Sequence, residues 1–267
     1  MTNIHPTAVV HPSAKIDPTA QIGPYAVIGE EVEIGAGTTV GAHAVVEFAT
    51  VGKNNRLFPG CYVGTAPQDL KYAGEKTRLV MGDGNRVREC VTLNRGTTAT
   101  GETVIGSNCL FMAYSHVAHD CRIGNGVIVV NSVGIAGHVE IGDFTVLGGI
   151  AGVHQFVRIG RYCMVGGGSM AGKDLPSFCT CQGDRATLRG LNLLGMRRAG
   201  LSRETISAVK DAYKTLFMSG LTIEDAIARL KTVPVPEVHE MLQHIERSKR
   251  GIMRPATGEL AEEEVTV

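Results

Sequence analysis

The sequence predicts a mainly β protein, a parallel β-helix of about nine coils, followed by a C-terminal α-helical domain. Three observations support this prediction. Apolar residues recur every six positions, and the hydrophobic period becomes helical after about Gln182. Glycine accounts for 34 of 267 residues, well above the roughly 7% of average proteins. Together these features indicate many tight turns around a narrow interior.

The six-residue repeat has 27 leading positions, all apolar, with one five-residue step from Val46 to Val51. Each leading side chain is expected to point inward, and the Gly, Asn or Asp that often follows is expected to form a corner. Three sides close a coil of 18 residues, and at ~4.8 Å between stacked strands the prism is roughly 43 Å tall. The leading positions are Ile4, Val10, Ile16, Ile22, Ile28, Ile34, Val40, Val46, Val51, Leu57, Val63, Met81, Val87, Leu93, Ala99, Ile105, Phe111, Val117, Ile123, Val129, Ile135, Ile141, Leu147, Val153, Ile159, Val165 and Ala171.

Residues 64–80 interrupt the repeat. They lie between Val63 and Met81, whose spacing equals one full coil, so this segment is predicted to be a coil extruded as a loop. Long loops on rigid scaffolds often carry function. We therefore predict a β-helix domain over 1–182 that includes the loop 64–80, and a helical domain over 183–267. In the latter, Ser202 and Thr222 are candidate N-caps, and a last amphipathic segment ends near Arg250.

Composition excludes several classes of protein. Lys+Arg and Asp+Glu are both 26, and this balance argues against a nucleic-acid partner. The sequence has no apolar run long enough for a transmembrane segment, and no secretory signal is expected at its N-terminus. Seven scattered cysteines without a repeated CxxC argue against a disulfide framework and a structural zinc site. We expect a cytoplasmic protein.

Four of the nine histidines lie in the middle of the predicted prism: His116, His119, His138 and His154. Residues that are one full coil apart share a column, so His119 is expected to stack on Gly137 and Gly137 on Gln155. His138 and His154 are each one position from that column. These side chains are expected to line a strip about 10 Å long. Corner positions also tolerate histidine without a function, but this clustering predicts a site.

His119 is the candidate general base, because the ordinary pKa of imidazole suits proton transfer at neutral pH. Asp120 is a second candidate that would orient the ring, although adjacent residues of a strand usually point apart. The amide of Gly137 is a candidate oxyanion donor, since no side chain blocks approach to it. A base and an oxyanion donor, without an evident Ser or Cys nucleophile, predict direct acyl transfer to a hydroxyl. This chemistry requires no metal and no cofactor.

Four segments carry a resemblance to a known family: His116–Asp120, Pro67–Tyr72, Val153–Phe156 and Gln182–Arg198. Together they resemble the bacterial acyl-carrier-protein–UDP-N-acetylglucosamine O-acyltransferases, and the resemblance covers nearly the whole chain. It implies left-handed coils, a homotrimer with clefts between neighbouring subunits, and the first step of lipid A biosynthesis. Hexapeptide repeats alone are far less specific.

The resemblance also implies roles for individual residues. His119 would deprotonate the glucosamine 3-hydroxyl, which attacks the thioester of a 3-hydroxyacyl-acyl carrier protein while the Gly137 amide binds the oxyanion. Gly167 matches the position that measures the acyl chain, and a longer chain is expected. Residues implied in substrate binding are Gln68, Asp69, Lys71, His116, His138 and His154 for the acyl and sugar groups, and Gln155, Asn192, Arg197 and Arg198 for the nucleotide and its phosphates.

The sequence departs from the family pattern at Asn94, Arg185, Leu194 and Ala199. These departures leave the nucleotide contacts open, together with the choice between UDP-N-acetylglucosamine and a 3-amino analogue as acceptor. Other interpretations remain. One is a hexapeptide-fold zinc carbonic anhydrase with His116, His119 and His138 as ligands, and another is the related N-acyltransferase of the same pathway. A purely structural solenoid is the third.

Overall fold

Short parallel strands wind around a three-sided prism, and four helices follow it in the chain. This computed structural model describes residues 3–256; residues 1–2 and 257–267, at the ends of the two predicted domains, lie outside it. The protein is a left-handed parallel β-helix with a C-terminal helical region, so the fold class predicted from the sequence is confirmed.

The strands follow one another at short intervals. The first fourteen are β1 (Asn3–Ile4), β2 (Val9–Val10), β3 (Lys15–Ile16), β4 (Gln21–Ile22), β5 (Val27–Ile28), β6 (Glu33–Ile34), β7 (Thr39–Val40), β8 (Val45–Val46), β9 (Ala49–Val51), β10 (Arg56–Leu57), β11 (Tyr62–Thr65), β12 (Arg78–Met81), β13 (Arg86–Val87) and β14 (Thr92–Asn94). The others are β15 (Glu102–Ile105), β16 (Leu110–Phe111), β17 (His116–Val117), β18 (Arg122–Ile123), β19 (Ile128–Val129), β20 (Gly134–Ile135), β21 (Glu140–Ile141), β22 (Val146–Leu147), β23 (Gly152–Val153), β24 (Arg158–Ile159), β25 (Met164–Val165), β26 (Met170–Ala171), β27 (Cys179–Gln182) and β28 (Thr187–Leu191).

Every third strand belongs to the same sheet. Sheet A begins with β1 and β4 and ends with β27 and the antiparallel β28, sheet B runs from β2 to β26, and sheet C runs from β3 to β24. The leading residues of the repeat pair along each sheet, as Ile4 does with Ile22 and Phe111 with Val129. Their side chains fill the prism from the inside, which removes apolar surface from water along its whole length.

One predicted repeat position is wrong. Ala99 lies exposed in a turn between β14 and β15 and belongs to no strand. The 27th parallel strand is instead β27, which contains none of the predicted leading positions. Ala99 falls within the polar, glycine-flanked run from Gly96 to Gly101, which is typical of a turn, and its small methyl group loses little by being exposed there. As a result Val87 pairs with Phe111 and not with Ile105, and residues 95–101 form an inserted loop.

The predicted loop 64–80 is shorter than expected. Strands β11 and β12 extend into it, which leaves residues 66–77 as the loop. Val51 pairs with Met81 and not with Asp69, which stands one regular coil further along the sequence. The loop is therefore an insertion at one corner and not a whole extruded coil. It leaves the prism between sheets B and C, as does the inserted loop 95–101 in the next coil.

The helices begin where local side chains satisfy their first amides. They are α1 (Leu193–Arg198), α2 (Arg203–Phe217), α3 (Ile223–Leu230) and α4 (Pro236–Glu246). Ser202 and Thr222 are the N-caps of α2 and α3, as predicted, and accept hydrogen bonds from the amides of Thr205 and Asp225. The last helix ends at Glu246, somewhat before the expected position near Arg250. No helix within residues 3–256 has both the length and the apolar character needed to cross a bilayer.

Candidate functional site

The candidate site lies along one edge of the prism, where the chain passes from sheet B to sheet C. We call this the B–C edge. In successive coils the edge consists of the loop 66–77, the loop 95–101, and the corners at His119–Asp120, Gly137–His138 and Gln155–Phe156. The last three corners lie above one another, as predicted from the spacing of one coil between His119, Gly137 and Gln155. The backbone agrees, since the amides of His138 and Phe156 donate to the carbonyls of His119 and Gly137.

His119 and Asp120 form a close pair. The Nδ1 atom of His119 is 2.7 Å from Oδ2 of Asp120. The expectation that these adjacent side chains point apart is wrong, because both residues lie in a corner and not in a strand. Asp120 has a φ of +60°, in the left-handed region that Asp tolerates better than most residues. This backbone turn brings the two side chains onto the same side of the chain.

The Asp120 carboxylate is buried and surrounded by hydrogen-bond donors. Besides His119, it accepts from the Thr97 amide at 3.0 Å and the Thr97 hydroxyl at 2.7 Å, and from the Thr100 hydroxyl. Burial alone would raise its pKa, but the hydrogen bonds from Thr100, His119 and Thr97 together lower the pKa of Asp120 to about 2. The carboxylate is therefore ionised at neutral pH and accepts a hydrogen bond from the Nδ1–H of His119.

Gly137 lies directly against the other side of the His119 ring. A Cβ atom at Gly137 would be 2.6 Å from Cε1 and 2.8 Å from Nε2 of His119, so no other residue fits here without moving the ring. Among residues 3–256 no acceptor takes a hydrogen bond from the Gly137 amide. With Nδ1 directed to Asp120, the Nε2 of His119 is left free on the side of the ring that faces Gly137.

The neighbouring histidine is held by an aromatic ring. His138 stacks on Phe156 with ring centroids 4.5 Å apart and meets the His119 ring edge-on at 5.1 Å. Its Nε2 is 3.7 Å from Oδ2 of Asp120. Burial lowers the pKa of His138, partly opposed by the Asp120 charge. His138 is therefore mainly neutral at neutral pH.

A cleft of about 1650 Å³ opens beside these groups. The predicted site residues that line it are Gln68, Asp69, Lys71, His116, His119, Gly137, His138, His154 and Gln155. Its wall also contains the charged residues Lys173, Asp184, Arg185 and Arg254. The chain thus brings together on one surface nearly all the residues that sequence analysis assigned to the reacting groups.

Two further histidines flank the centre of the cleft. His116 is on the outer face of β17, where its Nδ1 is 2.7 Å from the hydroxyl oxygen of Thr92. Burial and the nearby His119 lower its pKa. His154 is exposed, with Nδ1 3.2 Å from the Gln155 carbonyl oxygen. His116 is thus placed as a neutral hydrogen-bonding group, and His154 as a more open one.

The loop 66–77 approaches the cleft from the preceding coils. Asp69 accepts a hydrogen bond from the Lys71 amide, which closes a short turn at the loop tip. The Leu70 side chain between them is fully exposed. Lys71 is also exposed and lines the cleft, so it presents a cation there.

Other predicted residues lie outside this cleft. Asn192 is the N-cap of α1, where its side chain accepts from the Gly195 amide and donates to the Tyr162 carbonyl. Arg197 and Arg198 are exposed in the last turn of that helix. Gly167 lies at the edge between sheets A and B, next to Gly149.

The four departures from the family pattern have different surroundings. Asn94 is buried and its Nδ2 donates to the Thr65 hydroxyl at 3.2 Å. Arg185 lines the cleft, Leu194 is exposed, and Ala199 ends α1.

One group in the site has the composition of a metal site. Ligand atoms of His119, Asp120 and His138 lie within 4.8 Å of one another. The Asp120 oxygens are, however, already engaged by His119 and by two threonines. A cation here would have to displace those donors, so the donor set fits a hydrogen-bonded His–Asp pair better than a metal centre.

The threonines around Asp120 were not predicted from the sequence. Thr97 precedes Asp120 by more than one regular coil, because the inserted loop shifts it out of the stacked columns. The available signal was the polar, glycine-flanked run from Gly96 to Gly101, which is typical of a turn rather than of a coil.

Similarity to known proteins agrees with this site. A family profile described as UDP-N-acetylglucosamine O-acyltransferase, domain 2, matches residues 174–253. The bacterial transferase hexapeptide profile (six repeats) matches residues 102–137, and that of the GMPPB C-terminal domain matches residues 4–100.

Individual relatives match over most of their length. The acyl-[acyl-carrier-protein]–UDP-N-acetylglucosamine O-acyltransferase of Trichlorobacter lovleyi is 55% identical over 208 residues, 76% of this chain and 80% of that protein. The enzyme of the same name from Anaeromyxobacter is 52% identical over 209 residues, 78% of this chain and 80% of that one. The crystal structure of UDP-N-acetylglucosamine O-acyltransferase from Moraxella catarrhalis superposes with a TM-score of 0.93 at 43% identity, covering 95% of this chain and 100% of that chain.

The chain matches such enzymes over most of its length, including both the prism of hexapeptide coils and the C-terminal helices. The protein is therefore a hexapeptide-repeat acyltransferase. Within that class the high identities are decisive. The chain belongs to the UDP-N-acetylglucosamine O-acyltransferase family, and the resemblance noted in its sequence is confirmed.

Proposed function

We propose that the protein transfers a 3-hydroxyacyl group from acyl carrier protein to the 3-position of the glucosamine in UDP-N-acetylglucosamine, the first step of lipid A biosynthesis. The names of its relatives specify an acyl-acyl carrier protein and UDP-N-acetylglucosamine. One observation carries the proposal for this chain. His119 has Nδ1 paired with an ionised Asp120, and its ring lies against Gly137, whose amide makes no hydrogen bond among residues 3–256, in a large cleft.

The reaction then follows from these positions. Nε2 of His119 takes the proton of the sugar hydroxyl as its oxygen attacks the thioester carbonyl carbon. The C=O becomes an oxyanion that accepts a hydrogen bond from the Gly137 amide. The C–S bond breaks as the C=O re-forms, and the carrier thiol leaves with the proton from His119. Asp120 stabilises the imidazolium between these steps without taking up its proton.

The other lining residues are assigned to substrate positioning. His116, His138, His154, Gln68 and Asp69 offer donors and acceptors to the sugar and the acyl hydroxyl, and Lys71 offers a cation in the wall of the cleft. Gln155 is assigned to the nucleotide. No metal or other cofactor takes part in this sequence of steps.

We also propose a homotrimer, which would account for the residues that are assigned to substrate but lie away from this cleft. Asn192, Arg197 and Arg198 are assigned to the nucleotide phosphates in a cleft shared with a neighbouring subunit. The outer face of sheet B supports such packing, because its apolar Val9, Val27 and Tyr62 side chains are exposed. We also assign the protein to the cytoplasm, where its seven free cysteines remain reduced.

The proposal is tested by the His119→Ala variant with a panel of 3-hydroxyacyl-acyl carrier proteins. Both acceptors are used, UDP-N-acetylglucosamine and its 3-amino analogue, so that the preferred one is identified. Turnover is expected to fall by a factor of about 10² to 10⁴, the usual effect of losing a general base. His43→Ala is the matched control, because His43 is also a corner histidine but is exposed and stacks on Tyr25 near the other end of the prism. Near wild-type turnover in His119→Ala, with an unchanged oligomer, would exclude His119 as the base.

A further inference from the structure

The inserted loop 95–101 surrounds a carboxylate that lies in the following coil. Each Asp120 oxygen accepts from two donors: Oδ1 from the Thr97 amide and the Thr100 hydroxyl, and Oδ2 from the Thr97 hydroxyl and His119. The Asp120 amide in turn donates to the Thr103 hydroxyl at 2.8 Å. The loop is not required by the fold, because β14 and β17 pair across it as in every other coil.

The direction of the Thr97 hydroxyl proton is fixed by its surroundings. The Ala99 amide donates to the Thr97 hydroxyl oxygen at 3.2 Å, so this oxygen is an acceptor on that side. Its own proton is then directed to Asp120. Thr100 is less constrained, because its hydroxyl lies within reach of both the Glu102 carbonyl and Asp120. Thr97 therefore makes two well-defined hydrogen bonds to the carboxylate, one from its backbone and one from its side chain.

Three of the four donors to Asp120 carry protons that cannot be removed near neutral pH. The fourth donor is Nδ1 of His119. Its hydrogen bond to Asp120 forms only when Nδ1 carries a proton, because the ionised carboxylate has no proton to donate. The neutral imidazole is then held in the tautomer with a free Nε2, the atom beside Gly137.

We propose that the loop 95–101 is a positioning element for the base, and that Thr97 is its principal positioning residue. Its amide and hydroxyl orient the Asp120 carboxylate, which fixes the tautomer and the orientation of the His119 ring. Thr97 itself does not contact substrate. This inference rests on the proposed role of His119, and the experiment below separates the failure of one from the failure of the other.

Thr97→Val removes the hydroxyl and retains both the size of the side chain and the backbone amide. We expect kcat to fall on the order of tenfold, since a hydrogen bond to a charged group is lost, with KM for the UDP-sugar unchanged. A carboxylate that is no longer held in place pairs less well with the protonated His119 ring. The acidic limb of the kcat/KM profile should therefore move to lower pH, by roughly half a unit to one unit. Thr97→Ser restores the hydroxyl and should restore both quantities.

Thr19→Val is the matched control. Thr19 donates to Asp17 at 2.6 Å, but on an exposed corner of the first coils. A second measurement does not depend on activity: nitrogen chemical shifts of the His119 ring report its tautomer. The wild-type ring is expected to carry its proton on Nδ1, and the Thr97→Val ring to populate both tautomers. Thr97→Ala removes the same hydroxyl and serves if the valine variant does not fold.

The outcomes are distinct. Loss of kcat with a shifted acidic limb and recovery in Thr97→Ser supports the positioning role. A wild-type pH profile and a single His119 tautomer in Thr97→Val, with His119→Ala inactive, would overturn that role while leaving His119 as the base. Full turnover in His119→Ala would instead overturn the proposed function itself.

Discussion

At the scale of single residues, two glycines of the prism differ in what a side chain would meet. A Cβ at Gly137 would overlap the His119 ring at 2.6 Å, so this glycine is required for the base to occupy its position. A Cβ at Gly167 would approach only Gly149, with its carbonyl oxygen at 3.3 Å and its amide nitrogen at 3.9 Å. A side chain at Gly167, at the edge between sheets A and B, therefore requires the Gly149 carbonyl to shift by only a few tenths of an ångström.

The small size of this shift makes Gly167 suitable for testing the proposed measurement of the acyl chain. Gly167→Met should shift the preference toward shorter 3-hydroxyacyl donors, because each methylene excluded from a buried groove loses about 0.8 kcal/mol. That energy corresponds to roughly a fourfold change per methylene in the ratio of long-chain to short-chain turnover. Competition assays with mixed donors measure this ratio, and Gly167→Ala should give a smaller shift in the same direction. An unchanged ranking of donors in both variants would mean that Gly167 does not border the chain.

Where the repeat is strict, the relative positions of single residues could be predicted from the sequence. His119, Gly137 and Gln155 are each one coil apart, and the structure stacks their corners as predicted. The geometry at Asp120 was not predictable, because it depends on a left-handed corner and on donors from an insertion. A periodic pattern specifies positions within the repeat but not the contacts of inserted segments.

At the scale of elements, the two inserted loops are joined by one buried guanidinium. Arg95 donates to the Tyr72 hydroxyl at 3.0 Å, to Glu47 at 3.0 Å and to the Gly64 carbonyl at 2.9 Å. Its charge also lies 4.5 Å from the centre of the Phe48 ring. Arg95 thus fastens the base of the loop 66–77, which carries Lys71, to the coil below it.

Replacing this residue should affect binding more than chemistry. Arg95→Lys retains the charge but cannot supply the planar set of donors or the same stacking. We expect KM to rise about tenfold, which corresponds to a loss of about 1.4 kcal/mol, with a smaller change in kcat. Steady-state kinetics and the rate of proteolysis within residues 66–77 measure the two effects.

Lys76→Ala is the control for that variant, since it removes only an exposed ion pair with Glu31. Equal kinetic effects of the two substitutions would contradict the anchoring role of Arg95.

The element boundaries show which parts of the fold could be read from the sequence. The interior aliphatic positions specified 26 of the parallel strands, because each must be buried at a fixed interval. Ala99 fitted the pattern without being a strand, since a methyl group is tolerated in a turn. The start of β12 at Arg78 was not predicted, because pairing with β9 and β15 extends this strand toward the N-terminus, into the predicted loop.

At the scale of the whole molecule, partly buried polar contacts attach the helical region to the prism. The Nε2–H of His244 donates to the Arg158 carbonyl oxygen, 3.2 Å away, and the Ser248 hydroxyl donates to Asp174 at 2.7 Å. Burial and the charge of Arg158 lower the pKa of His244, with Asp174 and Glu140 opposing them. This histidine is therefore neutral in the folded protein over a wider pH range than in the unfolded chain.

Acid is expected to weaken this attachment. Because the folded pKa of His244 is below its ordinary value, the unfolded chain binds a proton that the folded protein does not, and stability falls as pH drops below about 6.5. His244→Gln retains an N–H donor and does not titrate. Its free energy of unfolding should therefore decrease less with acid, by at most about 1.4 kcal/mol per pH unit. Denaturant unfolding between neutral and mildly acidic pH measures both slopes, and parallel curves would contradict the prediction.

The position of the two insertions has a consequence for how such an enzyme diversifies. After each loop the chain returns to the register it left, with Met81 beside Val51 and Phe111 beside Val87. A gene can therefore gain or lose codons at these corners without disturbing the coils on either side. Natural variation in acceptor choice is expected to accumulate as changes in loop length at the B–C edge, while the spacing between His119 and Gly137 stays constant.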